Sequence, residues 1–306
     1  MVRRTLRSAR TVSGLVSVTA SSTIVQRHVA TDRIAEAAVG ALLTEALLTP
    51  KPGLVDASGP RSHPDMSLAL LAASAEALRD PLQQCADAAR AMPLGVELRA
   101  HIGAIGRAGE RRMLTATGGV NTHRGALWAL GLLSAGVAAA ENGVEAVDFA
   151  SQLARLPDPA RTVSHSLSHG ERARLRYSAE GAVGEACAGF PHVVDHGLPM
   201  LCSCRQRGES IDAAALNALM AIMARLKDTC VLHRGGLRGL DFVHRSAAGV
   251  LRSGGCTTAA GHRRLEQFCR QAHRRGLSMG GSADLLAAAL FLDAVMPKGV
   301  DRTCRP

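Results

Sequence analysis

The chain has 306 residues, of which 47% are hydrophobic, so it can bury one large core and is not an intrinsically disordered protein. Its formal net charge of +10 suits a polyanionic ligand such as a nucleotide, but only 2% of its residues are aromatic, which argues against a base-stacking nucleic-acid surface. No apolar stretch of transmembrane length is free of charged, glycine or proline residues, so we expect no contact with a membrane.

The first thirty residues form a basic segment without acidic residues. The arginines of this segment, Arg3, Arg4, Arg7, Arg10 and Arg27, precede the first acid, Asp32. The segment is also rich in Ser and Thr, which is typical of a transit peptide or a solvated tail, and a start codon assigned too far upstream would look the same. We therefore expect residues 1–30 to be a flexible tail and residues 31–306 to form the all-helical catalytic domain.

Helical periodicity extends over almost all of the remaining chain. Ala and Leu dominate, whereas β-branched and aromatic residues are sparse. The predicted helices cover approximately residues 31–48, 65–79, 93–115, 123–141, 144–155, 160–176, 179–188, 191–205, 210–226, 239–251, 258–275 and 282–296. Because no repeat or linker divides them, we predict a single all-α domain of ten or more helices. The eight cysteines lack zinc-binding spacing and are expected to be reduced thiols.

Two glycine pairs lie just before predicted helix starts, and polar residues follow each pair in the sequence. The residues are Gly118, Gly119, Asn121, His123 and Arg124 at the first turn, and Gly280, Gly281 and Ser282 at the second. Glycine allows a ligand to approach the backbone closely, and a helix N-terminus offers unpaired N–H groups at its positive dipole end. The pattern indicates a cradle for an anion. A plain turn with a polar cap is an equally good interpretation.

A long loop after the first predicted helix contains Lys51, Asp56, His63 and Asp65. Loops of this length in a compact helical domain are usually functional. Lys51 could meet phosphate, the two aspartates could hold Mg²⁺ by oxygen ligands shared with phosphates, and His63 could donate or carry a proton. The alternative is a solvated loop in which Asp65 only caps a helix.

Three further acids have unusual surroundings. Asp228 follows the predicted helix over 210–226, and an acid near a helix C-terminus is unfavourable against the dipole, which indicates a functional site. Glu185 lies in a small, apolar stretch, where a carboxylate needs a partner. Asp284 lies in the first turn of the last predicted helix. There it could interact favourably with the helix dipole, or it could bind a metal ion beside a phosphate-binding loop.

Six segments, taken together, resemble the triphosphoribosyl-dephospho-CoA synthase family. They are PKPGLVD at 50–56, HPDM at 63–66, ATGGVNTHRGALWALGLL at 116–133, GFPHV at 189–193, DTCVLHRGG at 228–236 and GGSADLLAAALFLD at 280–293. They follow the family's order, and two of them are most similar to the branch that serves malonate decarboxylase rather than citrate lyase. The chain departs from the family at Val183, where many relatives carry arginine, and at Met279, where the family has proline.

The resemblance implies an all-helical, cytoplasmic bacterial transferase. Its reaction would convert ATP and 3′-dephospho-CoA into 2′-(5″-triphosphoribosyl)-3′-dephospho-CoA and adenine. The product would pass to a phosphoribosyl-dephospho-CoA transferase acting on an acyl carrier protein. Because this reaction keeps the triphosphate, it needs no phosphoryl-transfer loop, and the chain has no GxxxxGK[ST] sequence.

The roles that we predict for individual residues in this reaction are not fixed by the resemblance itself. The predicted nucleotide-binding residues are Lys51, Gly118, Gly119, Asn121, His123, Arg124, Arg234, Gly280, Gly281 and Ser282. The predicted Mg²⁺ ligands are Asp56, Asp65 and Asp284, and the candidate catalytic groups are Glu185, His63 and Asp228. The alternatives are the same reaction in the service of citrate lyase, a metal-dependent nucleotide hydrolase and a basic helical RNA-binding protein. The sequence leaves a homo-oligomer open.

Overall fold

The computed structural model describes residues 15–59, 62–140, 143–160 and 169–295. The helices are α1 (Leu15–Leu47), α2 (Leu68–Ala77), α3 (Arg79–Ala91), α4 (Val96–Ala116), α5 (Arg124–Ala139), α6 (Gly143–Arg155), α7 (His169–Tyr177), α8 (Gly181–Cys187), a π-helical turn (Val193–Gly197), α9 (Leu198–Gln206), α10 (Ile211–Met223), α11 (Thr229–Arg252), α12 (Ala259–Arg274) and α13 (Gly280–Val295). The described residues contain no strand, so the predicted single all-α fold of ten or more helices is confirmed.

The helices differ most from the predicted ones in three places. α1 begins at Leu15 rather than at Thr31, although the role of residues 1–30 as a flexible tail stays a prediction. α3 was missed, because its Pro81 resembles a helix breaker but lies in the first turn, where no intrahelical N–H bond is lost. α11 begins at Thr229 rather than near residue 239, and it kinks at Gly236, which has a φ of 57°. Residues 161–168 of the predicted helix over 160–176 lie outside the described ranges.

α5 forms the centre of the core. Its sequence is apolar on nearly every side, and a helix of that kind is stable only when neighbours cover it all round. It packs against α1, α3, α4, α6, α8 and α13. This packing brings the N-terminus of α5 next to the first turn of α13.

Two further expectations can be compared with the structure. Cys202 is disulfide-bonded, so the expectation of reduced thiols is wrong for this residue, whereas the other cysteines that the structure describes form no disulfide. Among the described helices, none is both long enough and apolar enough to cross a bilayer.

The turn between α4 and α5 is a glycine-based helix cap. Gly118 and Gly119 have φ values of 62° and 92°. The Gly119 N–H donates to the Leu114 carbonyl at 2.7 Å, and the Gly118 N–H donates to the Thr115 carbonyl at 3.5 Å, as in a Schellman motif. The backbone N–H groups of both glycines therefore serve α4.

Replacement of Gly119 tests this cap. Gly119→Ala should lower the free energy of unfolding by about 1 kcal/mol, because a Cβ there meets open space but alanine is strained at positive φ. Gly106→Ala in α4 is the matched control and should be neutral or stabilising by about 0.5–1 kcal/mol, because Gly106 is helical and also faces open space. Urea unfolding measures both, and equal effects would contradict the cap.

Candidate active site

The N-termini of α11 and α13 meet at the buried carboxylate of Asp228. Its Oδ1 accepts hydrogen bonds from the backbone N–H groups of Cys230 at 2.9 Å and Val231 at 3.5 Å. Its Oδ2 accepts from the backbone N–H and the Oγ of Ser282, at 2.8 and 2.9 Å. Both helices present positive dipole ends, so one negative side chain stabilises both.

Asp228 was predicted to lie unfavourably at the end of the preceding helix, and this is wrong. α10 ends at Met223, and Asp228 is the N-cap of α11. Burial raises the pKa of Asp228, while the hydrogen bonds from Ser282, Cys230 and Val231 oppose that shift. The second predicted cradle, at Gly280, Gly281 and Ser282, is therefore occupied by a side chain of the protein itself.

Asp284, two residues after Ser282, faces the start of α5. A Cβ added to Gly125 would lie 2.0 Å from the Asp284 Oδ2, so this close approach requires glycine. Burial raises the pKa of Asp284 well above its usual value, the charges of Asp228 and Glu45 raise it further, and a hydrogen bond from the Ala126 backbone opposes the rise. Asp228, Asp284 and Glu45 together form what we term the acid cluster. Asp284 is its partly exposed member, whereas Asp228 and Glu45 are buried.

Lys51 is the cation next to the acid cluster. It is 1% exposed, and its Nζ donates to the Glu45 Oε1 at 2.8 Å and to the carbonyls of Glu45 and Ala46 at 2.5 and 3.1 Å. These contacts use all three ammonium hydrogens, so the arrangement leaves none for phosphate. Phosphate binding by Lys51 stays a prediction. The sequence analysis missed Glu45, whose signal was an acid among the apolar residues at the end of α1.

His123 presents an unpartnered nitrogen inside the protein. The residue is 4% exposed; its Nδ1 shares a hydrogen bond with the Ser74 Oγ at 2.7 Å, and that oxygen lies 2.6 Å from the Thr122 Oγ1. The Nε2 is buried without a hydrogen-bond partner. The pKa of His123 is lowered to about 4. Burial is the main cause, the charge of Glu45 opposes the shift, and the charge of Lys51 adds to it. At neutral pH the ring is uncharged and offers one free nitrogen.

The first glycine turn binds its own polar groups. The Asn121 Oδ1 accepts the backbone N–H of Arg124 at 3.3 Å, and the Arg124 guanidinium forms an ion pair with Glu110 of α4. Arg124 is 47% exposed in its side chain, and Gly118 and Gly119 lie at the surface, so a ligand could still reach them. The plain turn accounts for these contacts, and phosphate binding here stays a prediction.

Arg234 and His63 attach the long loop to the rest of the protein. The Arg234 Nη1 donates to the carbonyls of Ser62 at 2.8 Å and Gly276 at 3.3 Å, and its Nη2 donates to the His63 Nδ1 at 3.4 Å. The His63 Nε2 consequently carries the proton and donates to the Ser278 Oγ at 2.9 Å. Burial lowers the pKa of His63, Arg234 lowers it further, and Asp65 opposes both, so the ring is neutral.

The three predicted metal ligands are not brought together. Asp56 is buried and accepts the backbone N–H groups of Lys51 at 2.9 Å and Ser58 at 2.8 Å, which orders the loop. Asp65 is exposed beside His63, and Asp284 belongs to the acid cluster. Within the described ranges, no three His, Cys, Asp or Glu side chains are placed to hold a metal ion. A magnesium requirement stays a prediction.

Glu185 has the partner that a buried carboxylate requires, namely His192. Its Oε1 accepts the His192 backbone N–H at 2.8 Å, and its Oε2 accepts the ring Nδ1 at 2.7 Å. Burial would lower the pKa of His192, but the hydrogen bond and charge of Glu185, with a hydrogen bond to the Arg225 backbone, raise it. In this structure Glu185 orients His192, which the sequence analysis missed, and a catalytic role for Glu185 stays a prediction.

Comparison with known proteins shows the family. The model of the ATP:dephospho-CoA triphosphoribosyl transferase family matches residues 31–302. The chain belongs to this family of enzymes. It is 49% identical over 272 residues to a probable 2-(5″-triphosphoribosyl)-3′-dephosphocoenzyme-A synthase of Stutzerimonas stutzeri, covering 88% of this chain and 93% of the relative.

A second relative gives the same result. The 2-(5″-triphosphoribosyl)-3′-dephosphocoenzyme-A synthase of Klebsiella pneumoniae is 46% identical over 265 residues, which cover 86% of this chain and 94% of that protein. No solved structure matches the chain. The resemblance in the six sequence segments is thereby confirmed at the level of the family.

Neutralisation of Asp284 should stabilise the protein. Because its pKa is raised in the folded state, its ionisation opposes folding, and stability is lost as pH rises through that raised pKa. Asp284→Asn should therefore increase the free energy of unfolding at pH 7, by on the order of 1 kcal/mol, and flatten its pH dependence. Asp212→Asn, which removes an exposed acid from the first turn of α10, should be slightly destabilising. Denaturant unfolding between pH 4 and 8 measures both, and a less stable Asp284→Asn protein at pH 7 would contradict the strained acid cluster.

Removal of the Glu185 charge should lower the pKa of His192, because the interaction with this carboxylate is the main effect that opposes the lowering by burial. NMR titration of the imidazole signals in Glu185→Gln measures this, with His63 as a ring whose titration should stay the same. The stabilisation from a raised histidine pKa is complete below the unfolded value of 6.5 and is lost as pH rises through the folded value. The free energy of unfolding of Glu185→Gln should therefore not show this fall above pH 6.5. An unmoved His192 titration would show that Glu185 does not control it.

Proposed function

We propose that this protein transfers the triphosphoribosyl group of ATP to 3′-dephospho-CoA and releases adenine. The observation that carries the proposal is the acid cluster, whose partly exposed member, Asp284, lies within the region matched by the family model, residues 31–302. The reaction generates positive charge on a ribose carbon, and a site for it must place negative groups where that charge develops.

The bond changes define what the residues must do. The bond between the anomeric carbon of ATP and N9 of adenine breaks, its electron pair leaves with adenine, and adenine takes up a proton. The same carbon bonds to the 2′-oxygen of dephospho-CoA, and that hydroxyl loses its proton. The triphosphate stays on the transferred ribose, so it serves as a handle for positioning.

Two groups of the site match these requirements. Asp284 is the carboxylate nearest to solvent and lies under the repulsion of Asp228 and Glu45, so a cationic transition state relieves an existing strain. The Nε2 of His123 is a neutral nitrogen without a partner, and it suits a hydrogen bond to adenine or to a phosphate oxygen. Asp228 holds the start of α13, and thereby Asp284, in place.

We also propose Mg²⁺ as the counter-ion of the triphosphate. The described side chains do not form a complete metal cage, but Asp284 supplies a hard oxygen ligand in surroundings that favour a cation, which fits an ion shared with phosphates. When bound, such an ion would neutralise phosphate charge. The segments at 116–133 and 228–236 support the proposal that the protein serves malonate decarboxylase. It would do so in the cytoplasm, and its product would pass to the transferase that modifies the acyl carrier protein.

The acceptor dependence of adenine release tests this function. Protein incubated with ATP, Mg²⁺ and dephospho-CoA should release adenine, measured by chromatography, together with an equal amount of the coupled product. CoA should be a poor acceptor, because its 3′-phosphate crowds the neighbouring hydroxyl. Asp284→Asn should lose turnover by at least a hundredfold, about 2.7 kcal/mol, whereas Asp212→Asn should keep it. Equal adenine release without acceptor would identify a hydrolase instead, and salt-sensitive RNA binding without turnover would identify an RNA-binding protein.

A further inference from the structure

A cavity whose lining includes no residue of the acid cluster lies between α9 and the C-terminal ends of α10 and α11. It measures about 570 Å³, within the range of small-molecule sites. One part of its wall is apolar and includes Pro199, Met200, Ala248 and Leu251. The other part carries the guanidinium groups of Arg225 and Arg252, the ring of His196, the hydroxyl of Ser203 and one acid, Asp195, so its basic residues outnumber its acidic one.

The two arginines have the features of anion ligands. Both are exposed, and across the described ranges neither side chain has an ion pair or hydrogen bond. Arg225 is nonetheless ordered at its backbone, because His192 forms a hydrogen bond there and is itself held by Glu185. A cavity with two unpaired guanidinium groups at one side and an apolar wall at the other suits a diphosphate attached to a long, weakly polar chain.

We infer that this cavity, which we term the α9–α11 pocket, binds the diphosphate and the pantetheine arm of the acceptor, dephospho-CoA. The inference rests on the proposed function, because that function requires two large anionic substrates. Two arginines match the diphosphate of the acceptor, and the apolar wall matches its arm. ATP has a third phosphate and no arm, and Asp284, the proposed metal ligand, is not part of this wall.

The position of the pocket allows the two substrates to meet. Arg225 precedes Asp228 by three residues, so their Cα atoms are separated by at most about 11 Å. The inference therefore requires the ribose of an acceptor whose diphosphate binds Arg225 to extend from the pocket toward the acid cluster. The pantetheine arm would extend in the opposite direction, along Met200 and Leu251.

Binding and kinetics of three variants test the pocket. Arg225→Gln with Arg252→Gln removes both charges, Ala248→Phe fills the apolar side, and Arg263→Gln is a control at an exposed arginine of α12 outside the pocket. Calorimetric titration with dephospho-CoA and with ADP, in the absence of ATP, measures binding. Adenine release measures KM for each substrate. Thermal melts verify that each variant is folded.

The double arginine variant should bind dephospho-CoA at least tenfold more weakly and raise its KM similarly, with KM for ATP unchanged. Ala248→Phe should weaken dephospho-CoA but leave ADP binding unchanged, since ADP has no arm. Unchanged dephospho-CoA binding in the double variant, or a rise in KM for ATP alone, would overturn the pocket while wild-type turnover still supports the function. If wild-type protein releases no adenine, the function fails, and the titrations still decide whether the pocket binds dephospho-CoA.

Discussion

The carboxylate of Asp228 is the interaction on which the site depends. Two helix N-termini would otherwise face each other with positive dipole ends and unpaired N–H groups, and the carboxylate satisfies both at once. This bond fixes the start of α13, and two residues later the chain presents Asp284 to the glycine at the start of α5. The acid cluster is thus a consequence of how three helices begin.

The arrangement stores electrostatic repulsion in the interior. The charges of Asp228 and Glu45 repel the carboxylate of Asp284. Of the three acids in the cluster, only Glu45 forms an ion pair with a buried cation among the described residues, namely Lys51. A protein selected for stability alone would replace such acids by apolar or neutral groups. Local conflict of this kind is typical of functional sites, where the substrate supplies the missing positive charge. The buried His123 Nε2, which lacks a hydrogen-bond partner among the described residues, is a second group whose missing partner a substrate would supply.

The sequence predicts the parts of this site that depend on local pattern and misses those that depend on distant pairing. Asp228, Ser282, Asp284 and His123 were found because they stand at helix starts behind glycine pairs or in the family's segments. The reason given for Asp228 was wrong, because α11 begins at Thr229 rather than near residue 239, so Asp228 caps a helix N-terminus and its interaction with the dipole is favourable. The bond from Asp228 to Ser282 spans 54 residues, and nothing in the periodicity of either helix reveals it.

A basic chain with acids at its reactive centre is consistent with the chemistry proposed for it. Phosphate groups of two substrates require positive side chains, whereas the carbon between them becomes positive as adenine leaves. The side chains of opposite charge lie at different depths: Arg124, Arg225 and Arg252 are exposed, whereas Asp228 and Glu45 of the acid cluster are buried. Because the two substrates carry like charge, distant anchoring of their phosphates also reduces the repulsion between them when their riboses meet. Arg225 lies three residues before Asp228, and its backbone accepts a hydrogen bond from His192, which Glu185 holds in turn. If the acceptor binds at Arg225 as we infer, these contacts would position that part of its site.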